Sequence, residues 1–180
     1  MIRFTSLFLA ATLAVSLAAC GGDAGGGGTA ASGGAASPYL LKADMPEALA
    51  VLDAKKTAEG EEVIVWGRVR EEVEGMAAFT IIDDSIPYCG KGENDCGCPT
   101  PWDYCCELEH VPGGSLAVEI RDANGDVVEV GKMDMRRLDL IAIKGTMQKN
   151  ESGGLLLVAS DGWFRRERPD LPEGLRWPDE

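Results

Sequence analysis

Apolar and polar positions alternate with a period of two along most of the stretch from Gly60 to Ser160, which predicts a mainly β chain. Val63, Val65 and Val69 alternate with Ile64, Trp66, Arg68 and Arg70, predicting a strand over about 62–71, with Gly67 as a bulge or bend. Glu74-Gly75 turns the chain into a second strand from Met76 to Asp83. Leu116, Val118 and Ile120 mark a third, and Asn124-Gly125 is a hairpin signal leading to Val127, Val128 and Val130. Leu138–Met147 and Leu155–Ser160 supply two more strands, joined through Lys149–Gly154. Ahead of them, 45–56 reads as a short helix, with Asp44 as N-cap, Pro46 in the first turn, Lys55 and Lys56 at the C-terminal end, and Leu49, Val51 and Leu52 packing inward. Residues 165–180, charged and carrying Pro169, Pro172 and Pro178, read as an extended tail with Trp177 folded back.

Four segments carry a likeness: Val65-Trp-Gly-Arg-Val69, Gly75-Met-Ala-Ala-Phe-Thr-Ile-Ile-Asp83, Ile141-Ala-Ile-Lys-Gly-Thr146 and Gly154-Leu-Leu-Leu-Val-Ala159. Their order over about 61–164 resembles an OB-fold, a five-stranded barrel, of the anticodon-binding type. The resemblance implies a domain over 38–164 and a face able to take oligonucleotide or oligosaccharide, on which Trp66, Arg68, Arg70 and Arg121 would stand. The competing reading packs Trp66 on the helix or tail and leaves the arginines solvated. Two departures stand out. Only Lys132–Arg137 is available for the helix that the family places between its third and fourth strands, and a long insertion, 86–110 at its core, follows the second strand.

The first residues carry a different pattern. Arg3 precedes an apolar stretch from Phe4 to Val15, too short to span a bilayer comfortably. It ends Leu17-Ala18-Ala19-Cys20, which resembles the lipobox of bacterial lipoproteins. The resemblance implies cleavage of a signal peptide over 1–19, diacylglycerol on the Cys20 thiol, and acylation (palmitate) of the new amine. Several acyl chains hold a domain firmly where one holds it marginally. Gly21 stands where an Asp would mark inner-membrane retention, so the expected place is extracytoplasmic: a periplasmic membrane face, the outer membrane or the cell surface. Residues 20–37 are the lipidated cysteine and a Gly/Ala-rich flexible tether, with a reach on the order of 20–25 Å.

Loss of Arg3 with the leader takes the formal charge from −13 to about −14. Such a chain is repelled by phosphate backbones and anionic lipid heads, which argues against nucleic acid as a partner. The membrane lipid enters only through Cys20; an unidentified protein or small ligand is the expected partner.

Of six cysteines, the five other than Cys20 lie between Cys89 and Cys106 as C-x6-C-x-C-x6-C-C, with the single histidine, His110, four residues on. Three chemistries compete for Cys89, Cys96, Cys98, Cys105, Cys106 and His110. Disulfides would staple a polar loop, and an extracytoplasmic compartment permits them, but five cysteines leave one over. Thiolates suit zinc in a tetrahedral site, or another thiophilic metal. A reactive or redox thiol is the third, although no C-x-x-C occurs. Trp102, Asp103 and Tyr104 within the loop form either a small satellite core or a recognition surface. Asp122–Asp126 resembles the start of a calcium loop but closes too early, and a turn explains it better. Asp83-Asp84 is expected to be solvated.

No phosphate loop, dinucleotide fingerprint or metalloprotease helix is present. The reading that results is a membrane-anchored, non-enzymatic binding or interaction module with a metal- or disulfide-held loop. The alternatives are a thiol-based redox or metal-transfer protein, and an OB-type nucleic-acid or oligosaccharide binder.

Overall fold

The computed structural model describes residues 37–72, 78–91, 98–128 and 133–170. The leader, Cys20 and nearly all of the tether lie outside these residues, as do Cys96, Trp177, Met76, Ala77 and Val130. Among the described residues no helix is long and apolar enough to cross a membrane.

Strands β1 (Leu49–Ala50), β2 (Glu62–Glu72), β3 (Ala78–Ile82), β4 (Ser115–Ile120), β5 (Leu140–Lys149), β6 (Leu155–Ala159) and β7 (Trp163–Glu167) carry the fold, with single-turn helices α1 (Val51–Ala54) and α2 (Val111–Gly114). Antiparallel pairs join β2 to β3, β3 to β4, β6 to β5 and β5 back to β2, while β4 and β6 run parallel. The five strands therefore close into a barrel with the connectivity of the OB-fold. Closure requires β2 and β5 each to serve two neighbours. β2 gives its first half to β5 and its second to β3; β5 gives its first half to β2 and its second to β6. The half-edges left over are filled by β1, parallel on Val65–Trp66, and by β7, antiparallel on Leu140–Ile143. Among the described residues the half-edges of β2 and β5 are thereby shortened.

The period-two pattern places the core. In β4, Leu116, Val118 and Ile120 are buried while their neighbours are partly open. They meet Val65, Val69, Phe79, Ile81, Ile141, Ile143, Met147, Leu157 and Trp163 inside the barrel, and each large side chain so buried contributes roughly 1.5–3 kcal/mol. Where the family's helix would lie, 133–139 is irregular, and fully buried Met133 joins the barrel core instead.

Several expectations are corrected. The helix over 45–56 is a single turn, Val51–Ala54, entered from β1. Its N-cap residue is Ala50, and Asp44 plays no part in it. Val51 is buried, whereas Leu49 and Leu52 are exposed. The bulge in β2 falls between Val69 and Glu71. Gly67 stays in register opposite Ile141 and is needed for closeness: a Cβ there would stand 2.8 Å from Ile82 O and 2.9 Å from Val51 Cγ2. The chain beyond 164 does not leave the domain at once, because β7 runs to Glu167. At Asp122–Asp126 the turn reading holds. Asp122 Oδ1 accepts from the Asn124 and Asp126 amides, and Gly125 sits at φ +85°.

Candidate metal centre and the face it covers

The insertion after β3 folds back on itself. Cys89 N–H donates to Asp103 O (2.8 Å) and Gly90 N–H to Pro101 O (2.7 Å), so the two arms of the loop lie side by side. A turn closed by Glu107 N–H on Tyr104 O then presents Cys105 and Cys106. The Sγ atoms of Cys89, Cys98, Cys105 and Cys106 all lie within 4.8 Å of one another. Cys105 is central, 2.8 Å from Cys89, 2.9 Å from Cys98 and 3.9 Å from Cys106. Four thiolates at Zn–S distances of about 2.3 Å stand about 3.8 Å apart along the tetrahedral edges, so these sulfurs need only small side-chain adjustments to surround one ion. No disulfide joins the four. Cys89 is buried, Cys98 half-buried, and Cys105 and Cys106 are exposed.

Of the six candidates from the sequence, four thus come together. Cys96 lies outside the described residues. His110 is not in the group: its Nε2 faces Glu109 Oε1 at 3.4 Å and Glu107 Oε2 at 3.7 Å.

The loop is bolted to the barrel by two devices. One is apolar. Ile82, Ile86, Tyr104, Val111 and Leu138 form a second core with Tyr88 and Trp102 at its margin, so the loop aromatics make the satellite core. Tyr88 and Tyr104 meet edge to face, centroids 6.4 Å apart. Burial pushes the Tyr104 phenol well above its ordinary value. The other device is ionic and centres on Arg68, only 3% exposed. Its Nε donates to Asp84 Oδ1 (2.5 Å), Nη1 to Leu138 O (3.0 Å) and Nη2 to Glu167 Oε1 (3.2 Å), and the guanidinium lies over the Tyr88 ring. Burial works against the Arg68 charge, but Asp84 and Glu167 outweigh it and raise its pKa. Lys91 Nζ shares Asp84 Oδ1 at 2.8 Å. Asp83, expected to be solvated, is buried and accepts from Leu52 N–H (2.9 Å) and from the Ser85 amide and hydroxyl.

The four residues assigned to an oligonucleotide or oligosaccharide face do not form one open surface. Trp66 is half-buried with the β7 residue Arg166 over its ring, 5.5 Å from the centroid. Arg68 is consumed as described. Arg70 pairs with Glu71, and Arg121 with Glu119 and with Gly125 O. The loop and β7 thus cover Trp66 and Arg68, while Arg70 and Arg121 are engaged by neighbours on the barrel itself. Reasoning from sequence also missed Asp139, wholly buried and held by Arg168 through two hydrogen bonds of 2.8 and 2.7 Å. An acid set between Leu138 and Leu140 in an apolar run was the available signal.

No family model matches the chain, and no curated protein matches it. Among solved structures it is similar to the OBody AM2EP06 bound to hen egg-white lysozyme, at 16% identity over 71% of this chain and 100% of that one, TM-score 0.41. It is also similar to the OBody AM1L10 bound to hen egg-white lysozyme, at 15% identity over 62% and 83%, TM-score 0.34. The strand connectivity itself defines the class: an OB-like barrel carrying a cysteine-rich loop.

Proposed function

We propose that this chain is a lipid-anchored, extracytoplasmic binding module without catalytic activity. Its cysteine loop is locked by a thiophilic metal ion, zinc being the simplest fit, held by Cys89, Cys98, Cys105 and Cys106. The observation that carries the reading is the gathering of these four sulfurs within 4.8 Å. The ion would cross-link both arms of a long polar insertion that has only a small core of its own. Anchoring rests on the likeness of Leu17-Ala18-Ala19-Cys20 to a lipobox. The acidic charge and the engaged Arg68, Arg70 and Arg121 speak against a nucleic-acid partner, as does an extracytoplasmic location.

The test is intact mass with elemental analysis of the mature protein, purified without chelator. One metal per chain with cysteines in the thiol state is the expected result. A mass deficit of two protons per bridge and no metal replaces the ion with disulfides. Acyl mass on Cys20 tests the anchor separately. The exposure of Cys105 and Cys106 favours one second reading, a thiol-exchange or metal-transfer protein. That reading requires a fast, low-pKa thiol in the metal-loaded state, whereas the first predicts slow modification.

A further inference from the structure

The face at Trp66 and Arg68 is covered, but a concavity among the described residues lies beside the loop. A groove of about 460 Å³ is lined by Leu52, Ser85, Ile86, Pro87, Glu107, Glu109, His110, Gly113 and Gly114. Its size is in the range of small-ligand and side-chain pockets. Leu52 is one of three exposed large apolar side chains among the described residues, and Leu108, 68% exposed, stands between two of the lining residues. With Ile86 and Pro87, Leu52 makes the apolar part of the lining. Gly113 and Gly114 leave the α2 side without a side chain; a Cβ on Gly114 would fall 2.1 Å from Ile86 Cδ1.

The charge of this groove has one sign. Glu107 and Glu109 stand on its rim on either side of His110 Nε2. The Lys55 side chain is not part of the lining; its ammonium is tied up by the carbonyls of Gly113 (2.6 Å), Ser115 (3.0 Å) and Pro112 (3.5 Å) at the α2 edge. Two carboxylates beside apolar surface, in a chain of net charge −13, complement a cation that carries an apolar flank. The rim residues directly follow Cys105 and Cys106, so whatever holds that pair also sets this wall.

We infer that the groove is the binding site of the module, and that its partner is a basic segment of another extracytoplasmic protein. A Lys or Arg side chain lies against the outer carboxylate oxygens of Glu107 and Glu109, and an adjacent Leu-like residue packs on Leu52, Ile86 and Pro87. This rests on the binding-module reading above and gives it a partner class.

The experiment is an amide-shift titration of the ¹⁵N-labelled mature chain with two probes, the peptides Ac-Gly-Leu-Lys-Leu-Gly-NH2 and Ac-Gly-Leu-Glu-Leu-Gly-NH2. The lysine peptide is expected to shift Leu52, Ser85, Ile86, Gly113 and Gly114, and the glutamate peptide to leave them in place. The double variant Glu107→Gln/Glu109→Gln should bind the lysine peptide about fivefold more weakly, and the distant Glu151→Gln should bind it as wild type does. Equal response to both peptides, no response at millimolar peptide, or the same shifts on raising protein concentration alone would overturn the inference. Metal analysis of the same sample separates the two claims. Stoichiometric metal without peptide binding removes only the partner class, and absent metal with peptide binding removes only the metal.

Discussion

Replacing Arg68 by Met tests whether the loop is part of the barrel or an ornament on it. The substitution keeps most of the aliphatic stem and removes a buried charge. It takes one cationic partner from Asp84 and from Glu167 and leaves the Leu138 carbonyl without this donor. Breaking a fully buried ion pair costs roughly 3–5 kcal/mol, but two facts reduce that figure. Asp84 keeps Lys91, and the Asp84 and Glu167 side chains are 22% and 48% exposed, so water screens them. The lost hydrogen bond to a buried carbonyl adds about 1–3 kcal/mol. The expected loss is about 3 kcal/mol, or roughly 10 °C in Tm for a domain of this size. Urea unfolding followed by tryptophan fluorescence measures it, with Arg70→Met as the control. Arg70 makes only its partly exposed pair with Glu71, and its loss should cost under about 0.5 kcal/mol. A loss at Arg68 below about 1 kcal/mol, or one equal to the control, would refute the ionic attachment of the loop.

Further outcomes follow from other contacts. Burial pushes the Asp83 carboxyl up, but hydrogen bonds from Leu52 and Ser85, with the charge of Lys91, outweigh it and hold it below the ordinary carboxylate range. Its contribution is therefore complete above the unfolded value near 3.9 and is lost as pH falls through the lower folded value. The stability gap between wild type and Asp83→Asn should shrink below about pH 4 in acid unfolding; a constant gap would contradict this. Gly145→Ala would bring a Cβ to 2.6 Å from Val158 O and should cost about 1–3 kcal/mol by thermal melting. Cys98→Ser should lower metal content sharply by elemental analysis, while His110→Ala should leave it unchanged. Equal loss in both would restore the histidine as a ligand.

The strands were legible because alternation reports directly on a half-buried sheet. Val65, Val69, Leu116, Val118, Ile120 and Leu157 face inward as their periodicity requires. The OB connectivity was legible from glycines and strand order, including the missing helix, although Met133 as the substitute filler was not. Local rules failed where distant partners decide. The signals at Asp44, Pro46 and Lys55 suggested three turns of helix, yet pairing of Leu49–Ala50 with β2 and the Asp83 carboxylate on Leu52 N–H cut it to one. Residues 165–167 looked like the start of a tail because their charges have no local partner; the partners are Leu140–Ile141 and Asp139. In the loop the clustering of cysteines was visible, but which four converge depends on the Cys89–Asp103 and Gly90–Pro101 backbone pairing, which spacing does not encode.

The first described residues form a strap. Trp163 N–H donates to Tyr39 O and Leu41 N–H to Trp163 O, both at 2.8 Å, with Leu40 bridged parallel to Trp163. Gly162 beside it lies at φ +89°, where a Cβ would fall 2.2 Å from Tyr39 O. Any tension applied through the N-terminal segment therefore reaches the folded body first at this clasp on β7. The clasp would act as a mechanical fuse: two backbone hydrogen bonds and the packing of Tyr39 and Leu40 on the core would yield before force is felt by β2 or the barrel seam. A load on that segment would then meet compliance at residues 37–41 and stiffness in the closed barrel.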